Sequence, residues 1–112
     1  MYIYKIYFAT NRDYNNNNDL INDLIKLFKG YNFNYSIIEI NGKFTEWRNK
    51  ENKKVPKSEK GQYITDVEKS YILEYVSNNN FDDDLIKFIS DKIKNYYNQN
   101  EVLTTKQNIN IL

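Results

Sequence analysis

The chain has 112 residues, about the size of one domain and large enough for an apolar core without metal or disulfide staples. It carries no Cys and no His, which excludes disulfides, thiolate nucleophiles and zinc–thiolate sites and removes the commonest neutral-pH base and metal ligand. The formal charge is only +1, so no global field draws it to nucleic acid or membrane, and any electrostatic argument has to be local.

Composition is skewed toward residues with AT-rich codons: 19 Asn, 14 Lys, 14 Ile and 11 Tyr stand against one Ala and two Arg. This bias points to a low-GC bacterium or one of its phages or plasmids. The opening run "MYIYKIYFAT" lacks the apolar core of about 7–15 residues that a signal peptide needs. No apolar stretch reaches the roughly 18 residues of a membrane span, so a cytoplasmic protein is expected.

Residues 2–9 alternate with period two: Tyr2, Tyr4, Ile6 and Phe8 form one strongly apolar face of a first strand. The asparagine run Asn15–Asn18 reads as a polar loop. Asn18 or Asp19 then caps an amphipathic helix carrying Leu20, Leu24 and Leu27 beside Ile21, Ile25 and Phe28, with Gly30 at its end. Residues 33–40, "FNYSIIEI", resume strand character. Asn41-Gly42 is the dipeptide favoured in a two-residue hairpin turn, from which "KFTEWR" is expected to pair back.

The long run "QYITDVEKSYILEYV" reads as the longest strand, with Val67, Tyr71, Leu73 and Tyr75 on one parity. A second helix follows. Asp82 is expected to cap it, Phe81 to staple onto Ile86, and Asp83 and Asp84 to favour the positive end of its dipole, while Leu85, Ile89, Ile93 and Tyr96 or Tyr97 form its buried stripe. "EVLTT" is a last strand, and residues 106–112 are a tail or an edge strand.

The order β-α-β-β-β-α-β predicts an α+β ferredoxin-like sandwich over residues 1–105, an antiparallel sheet with both helices on one face. "SIIEINGKF", "EKSYILEY" and "YYNQNEVL" resemble pieces of a family of small uncharacterised bacterial and phage proteins with a ferredoxin-like pattern. The resemblance implies a fold and no activity.

The stretch "NGKFTEWRNKENKKVPKSEKG" holds the only Trp, the only Pro and a local excess of positive charge. Trp47 and Arg48 are candidate anchors for a partner, and Lys50, Lys53, Lys54 and Lys57 candidate steering charges. The plain alternative is a solvated loop of Lys, Glu and Asn. The open sheet face, with Ile3, Tyr7, Ser70, Ile72 and Val76, is a candidate homodimer or partner surface.

Asp82–Asp84 lacks the glycine turn and spacing of a calcium loop, and helix capping accounts for it. Phosphate-cradling loops, nucleophile elbows and adjacent nucleophile–base pairs are absent from the sequence, and no cofactor or metal is expected. The expected function is therefore a small non-enzymatic binding protein, encoded by a phage or mobile element, that binds and inhibits a host protein or ribonucleoprotein in an anti-defence role. The alternative is a nucleic-acid or nucleotide binder using the basic stretch 43–60.

Overall fold

The computed structural model describes residues 1–78 and 82–110 and shows an α+β architecture in the order β1 (Tyr2–Ala9), α1 (Asn17–Leu27), β2 (Ser36–Arg48), β3 (Gln62–Ser77), α2 (Asp83–Tyr96) and β4 (Leu103–Asn108). Among the described residues the strands form one four-stranded sheet, ordered β2-β3-β1-β4, in which every pairing is antiparallel.

Period-two alternation decides what the sheet buries. Tyr4, Ile6 and Phe8 of β1 and Tyr71 and Leu73 of β3 point to the same face. There they meet Leu20, Leu24 and Phe28 from α1 and Ile86, Ile89, Ile93 and Tyr97 from α2 in a single core. Both helices therefore cover one face of the sheet. Leu85 and Tyr96 are only partly buried, and Ile86 and Tyr97 take the inner positions of α2.

The helix ends differ from expectation by a residue or two. Asn16 caps α1, its side-chain oxygen accepting from the Asp19 amide, and Gly30 supplies a positive φ of 93° just past the end. Asp82 stands at the start of α2 in helical conformation without capping it. Its carboxylate instead accepts from Tyr75 Oη at 2.9 Å and from Ser77 Oγ, tying the helix to the end of β3. The expected staple by Phe81 lies outside the described residues.

The expected hairpin at Asn41-Gly42 does not form. β2 runs straight through it, with Asn41 opposite Lys69 and Gly42 opposite Glu68. A type I′ turn needs positive φ at both central residues, and among the described residues positive φ occurs only at Gly30, Asn52 and Asn98. Among the described residues there are four strands in place of the expected five, and β3, at 16 residues, is long enough to partner all 13 of β2.

β2 also starts later than expected. Phe33 and Tyr35 sit before it and pack on Phe28, with ring centroids 5.4 and 5.8 Å away. β4 begins at Leu103 and reaches Asn108, so of the two expectations for the segment from 106, tail or edge strand, residues 106–108 take the edge strand, and the Ile109 amide donates to the Met1 carbonyl at 2.9 Å. No described helix is long and apolar enough to cross a membrane.

Candidate functional site

β1 pairs with β3 only as far as Ala9 opposite Ser70. Beyond that point β2 and β3 continue alone, from Asn41 opposite Lys69 to Arg48 opposite Gln62, eight pairs in all. At strand rise this makes a two-stranded arm about 26 Å long, consistent with overall extents of 52 × 29 × 24 Å. No described side chain between residues 41 and 69 is buried.

The arm ends in residues 49–61, and these are folded rather than loose. Asn49 Oδ1 accepts from the amides of Glu51 and Lys53, each at 3.0 Å, while the Asn49 amide donates to the Lys53 carbonyl at 3.0 Å. Asn52 takes a left-handed φ of 62°, a conformation Asn tolerates better than most residues. The Val55 amide reaches back to the Trp47 carbonyl at 3.4 Å, and the Glu59 amide closes a turn on Pro56. Gly61 is required for close approach: a Cβ there would lie 2.6 Å from the Arg48 carbonyl oxygen and 2.8 Å from Trp47 Nε1.

Trp47 and Arg48, the expected anchors, are adjacent in sequence and point to opposite sides of the arm. Trp47 packs edge-on against Tyr63 at 5.1 Å and 74°, and its indole N–H donates to the Glu59 carbonyl at 3.0 Å. The Arg48 guanidinium donates to Glu46 through Nε and Nη2, meets Asp66 at 2.5 Å and reaches Asn52 Oδ1 at 3.2 Å. Its side chain is only 14% exposed, and Asp66 and then Glu46 push its pKa further up. Arg48 is thus spent within the arm as a clamp across β2 and β3. Lys50, Lys53 and Lys54 are exposed at the tip, and Lys57 lies over the Tyr63 ring at 5.3 Å.

The pairing register sorts the arm's side chains by charge. The side continuous with the helix-covered sheet face carries Asn41, Lys43, Thr45, Trp47, Tyr63, Thr65 and Lys69, with Thr45 and Thr65 hydrogen bonded across the strands at 2.9 Å. The opposite side carries Glu46, Arg48, Gln62, Ile64 and Asp66. Among the described ribbon side chains, every carboxylate beyond Ser70 is therefore on one side and every lysine on the other. Only at the junction with the sheet does Lys69 find an acid on its own side, Glu39 at 3.4 Å.

The open sheet face, on the side away from the helices, carries an apolar row across all four strands: Ile38, Ile72, Tyr7 and Leu103 are register neighbours. Ile38 is 42% and Leu103 62% exposed, whereas Tyr7, Ile72 and Ile3 are half-buried. Lys5 and Glu74 face each other in the adjoining row.

Two polar clusters that sequence reasoning missed hold the body together. Tyr4 Oη donates to Asp83 Oδ1 at 2.5 Å, and Lys106 Nζ reaches the same oxygen at 2.8 Å while lying over the Tyr2 ring. Lys106 and then Tyr4 hold the Asp83 carboxyl below its usual range. These residues end a shallow groove between α2 and β4 that is also lined by Lys87, Ser90 and Thr104. On the far side of the body Tyr14 Oη donates to Asp23 at 2.7 Å and lies 2.9 Å from the fully buried Tyr97 Oη. Burial pushes the Tyr97 hydroxyl up to about 12. Among the described residues no group of three or more acidic side chains is placed to hold a metal.

In comparisons with known proteins, no family model and no curated protein sequence matches this chain.

Proposed function

We propose that this chain is a non-enzymatic binding protein that presents the β2/β3 arm to a host macromolecule and acts by occupying its surface. The observation that carries this reading is the arm itself: eight strand pairs with no buried side chain among those described, ending in a tip stiffened by its own hydrogen bonds. A segment held in one shape by its own cross-strand contacts loses little conformational freedom on binding. The body, with its single core, is the scaffold that holds it out.

The sheet order β2-β3-β1-β4, with a helix after β1 and another after β3, supports reading the fold as ferredoxin-like. The AT-rich residue usage supports an origin in a phage or mobile element of a low-GC bacterium, and hence an inhibitory, anti-defence role. With Arg48 engaged inside the arm, the groups left to meet a partner are the tip lysines and the Trp47–Tyr63 side.

The test is an arm-shortened variant in which Asn-Gly replaces residues 45–65, joining Phe44 to Asp66, which are already opposite each other. Immobilised full-length and shortened proteins are compared for capture from a low-GC bacterial lysate. A partner held only by the full-length chain supports the reading. Identical captures by the two overturn it.

A further inference from the structure

We infer that the lysine-bearing side of the arm is a binding surface for double-stranded DNA, and that the arm meets it as a two-stranded ribbon lying in the major groove. This rests on the proposed role of the arm and names its partner.

The first argument is charge. Among the described ribbon residues this side carries Lys43 and Lys69 and no carboxylate, Lys57 of the tip folds over Tyr63 to add a third cation, and the one acid that Lys69 meets, Glu39, lies back in the sheet. Glu46 and Asp66 are on the other side, clamped by Arg48. A ribbon that mixed its charges would repel a phosphate backbone as much as attract it. This one turns its acids away from one face.

The second argument is dimension. The major groove of B-form DNA is about 12 Å wide and admits a two-stranded ribbon. From Asn41 to Trp47 the ribbon covers about 20 Å, the length of roughly six base-pair steps. Lys69 and Lys57 stand near the two ends of that length, and Lys43 between them. The middle of the face holds short groups, Thr45 and Thr65, whose hydroxyls can reach base edges while the longer lysines reach outward to phosphates.

The third argument separates duplex DNA from its competitors. A single-strand binder needs aromatic faces free for bases to stack on. Here Tyr63, though 58% exposed, has Trp47 packed against it at 74° and the Lys57 ammonium over its ring, so a base would have to displace Lys57 to stack there. Duplex RNA presents a major groove too deep and narrow for a ribbon. Duplex DNA uses what this face offers.

The experiment is fluorescence anisotropy of labelled duplex DNA, single-stranded DNA and duplex RNA of equal length, with the intact protein at about 50 and 200 mM salt. Three phosphate contacts predict that duplex DNA binding weakens about 40-fold between the two salts and exceeds binding to the other two nucleic acids. Lys43→Glu with Lys57→Glu should weaken it at least tenfold and lower the log–log salt slope by about two. Lys26→Glu with Lys29→Glu, the same charge change at the end of α1, should leave it within about twofold.

No saturable duplex binding, equal binding to all three nucleic acids, or an equal loss in the α1 variant each overturns the inference. If the lysate partner is still captured only by the full-length arm, the DNA assignment alone has failed. If the shortened chain binds everything the full-length chain binds, duplex included, the role of the arm has failed with it. Circular dichroism of each variant confirms that the body is folded.

Discussion

The body and the arm are made from the same two strands and held by different physics. In the body, β3 lays Tyr71 and Leu73 against two helices and loses water from both. A few residues earlier the same strand, paired to the same neighbour, has no buried side chain among those described, and its order comes from cross-strand contacts: Trp47 on Tyr63, Thr45 on Thr65, and Arg48 between Glu46 and Asp66. Each such contact contributes a fraction of a kcal/mol to about 1 kcal/mol, against about 2–5 kcal/mol for truncating a large core side chain. The arm is an ordered passenger: it depends on the body, and the body does not depend on it.

The largest expected effect lies in the body. Leu73→Ala, at a fully buried position, should cost about 2–5 kcal/mol, with the arm's tryptophan signal lost in the same thermal transition as the helices. An arm that outlived the helices would break the comparison. Gly61→Ala is the counterpart in the arm. Its new methyl meets a backbone carbonyl that cannot step aside, so a local penalty of about 1–3 kcal/mol is expected, read as a shifted Trp47 emission with the body's melting temperature nearly unchanged.

Next comes the Tyr14–Tyr97 pair. A hydroxyl whose folded pKa is raised to about 12 stabilises the fold fully below the ordinary tyrosine value near 10, and that contribution is lost as pH rises from about 10 to 12. Alkaline unfolding monitored by helix content should begin in that window. Tyr97→Phe should cost about 1 kcal/mol at neutral pH and weaken the alkaline dependence.

Asp83 acts at the other end of the scale. With its folded pKa lowered, its contribution is present above the usual carboxylate value near 4 and disappears as pH falls through the folded value. Asp83→Asn should flatten the acid limb of the melting curve. The smallest effect belongs to Arg48→Gln, which should leave the melting temperature alone and speed amide exchange at Glu51 and Lys53, whose hydrogen bonds sit on the turn that Arg48 holds through Asn52.

What the sequence made legible follows the same division. The alternation Tyr4, Ile6, Phe8 and the stripe Leu20, Leu24, Phe28 can be read directly because burial on one face writes a period into the chain. The half of β3 around Tyr71 and Leu73 was readable for the same reason, while its arm half was readable only from β-forming residue types, since no described side chain of residues 62–69 is buried. Asn41-Gly42 misled because a turn propensity is local, whereas the choice to extend is made by the strand opposite, more than twenty residues away. Asp82 marked the start of α2 correctly but bonds to Tyr75 and Ser77, partners that no helix signature contains.

The arm's charge sorting was latent in the odd positions Lys43, Thr45, Trp47, Tyr63, Thr65 and Lys69. It could not be seen until the register put Trp47 opposite Tyr63. Without that register, Trp47 and Arg48 read as one anchor, when neighbouring residues on a strand face opposite ways.

Among the described residues β2 pairs with a strand on one side only, and its other edge is bridged just at the tip, by Lys54 at Arg48 and by the Val55 amide at the Trp47 carbonyl, which leaves the backbone edge of residues 36–46 without a strand partner. Such an edge is a template for another strand, and what guards it is charge at Glu39, Lys43 and Glu46 along its length. About half of that edge, from Asn41 on, belongs to the arm, the part of the molecule that contributes least to its melting temperature. Concentrated, high-salt solutions will reach the threshold for self-assembly first, through edge pairing of whole folded copies, while every measure of the body's stability stays the same.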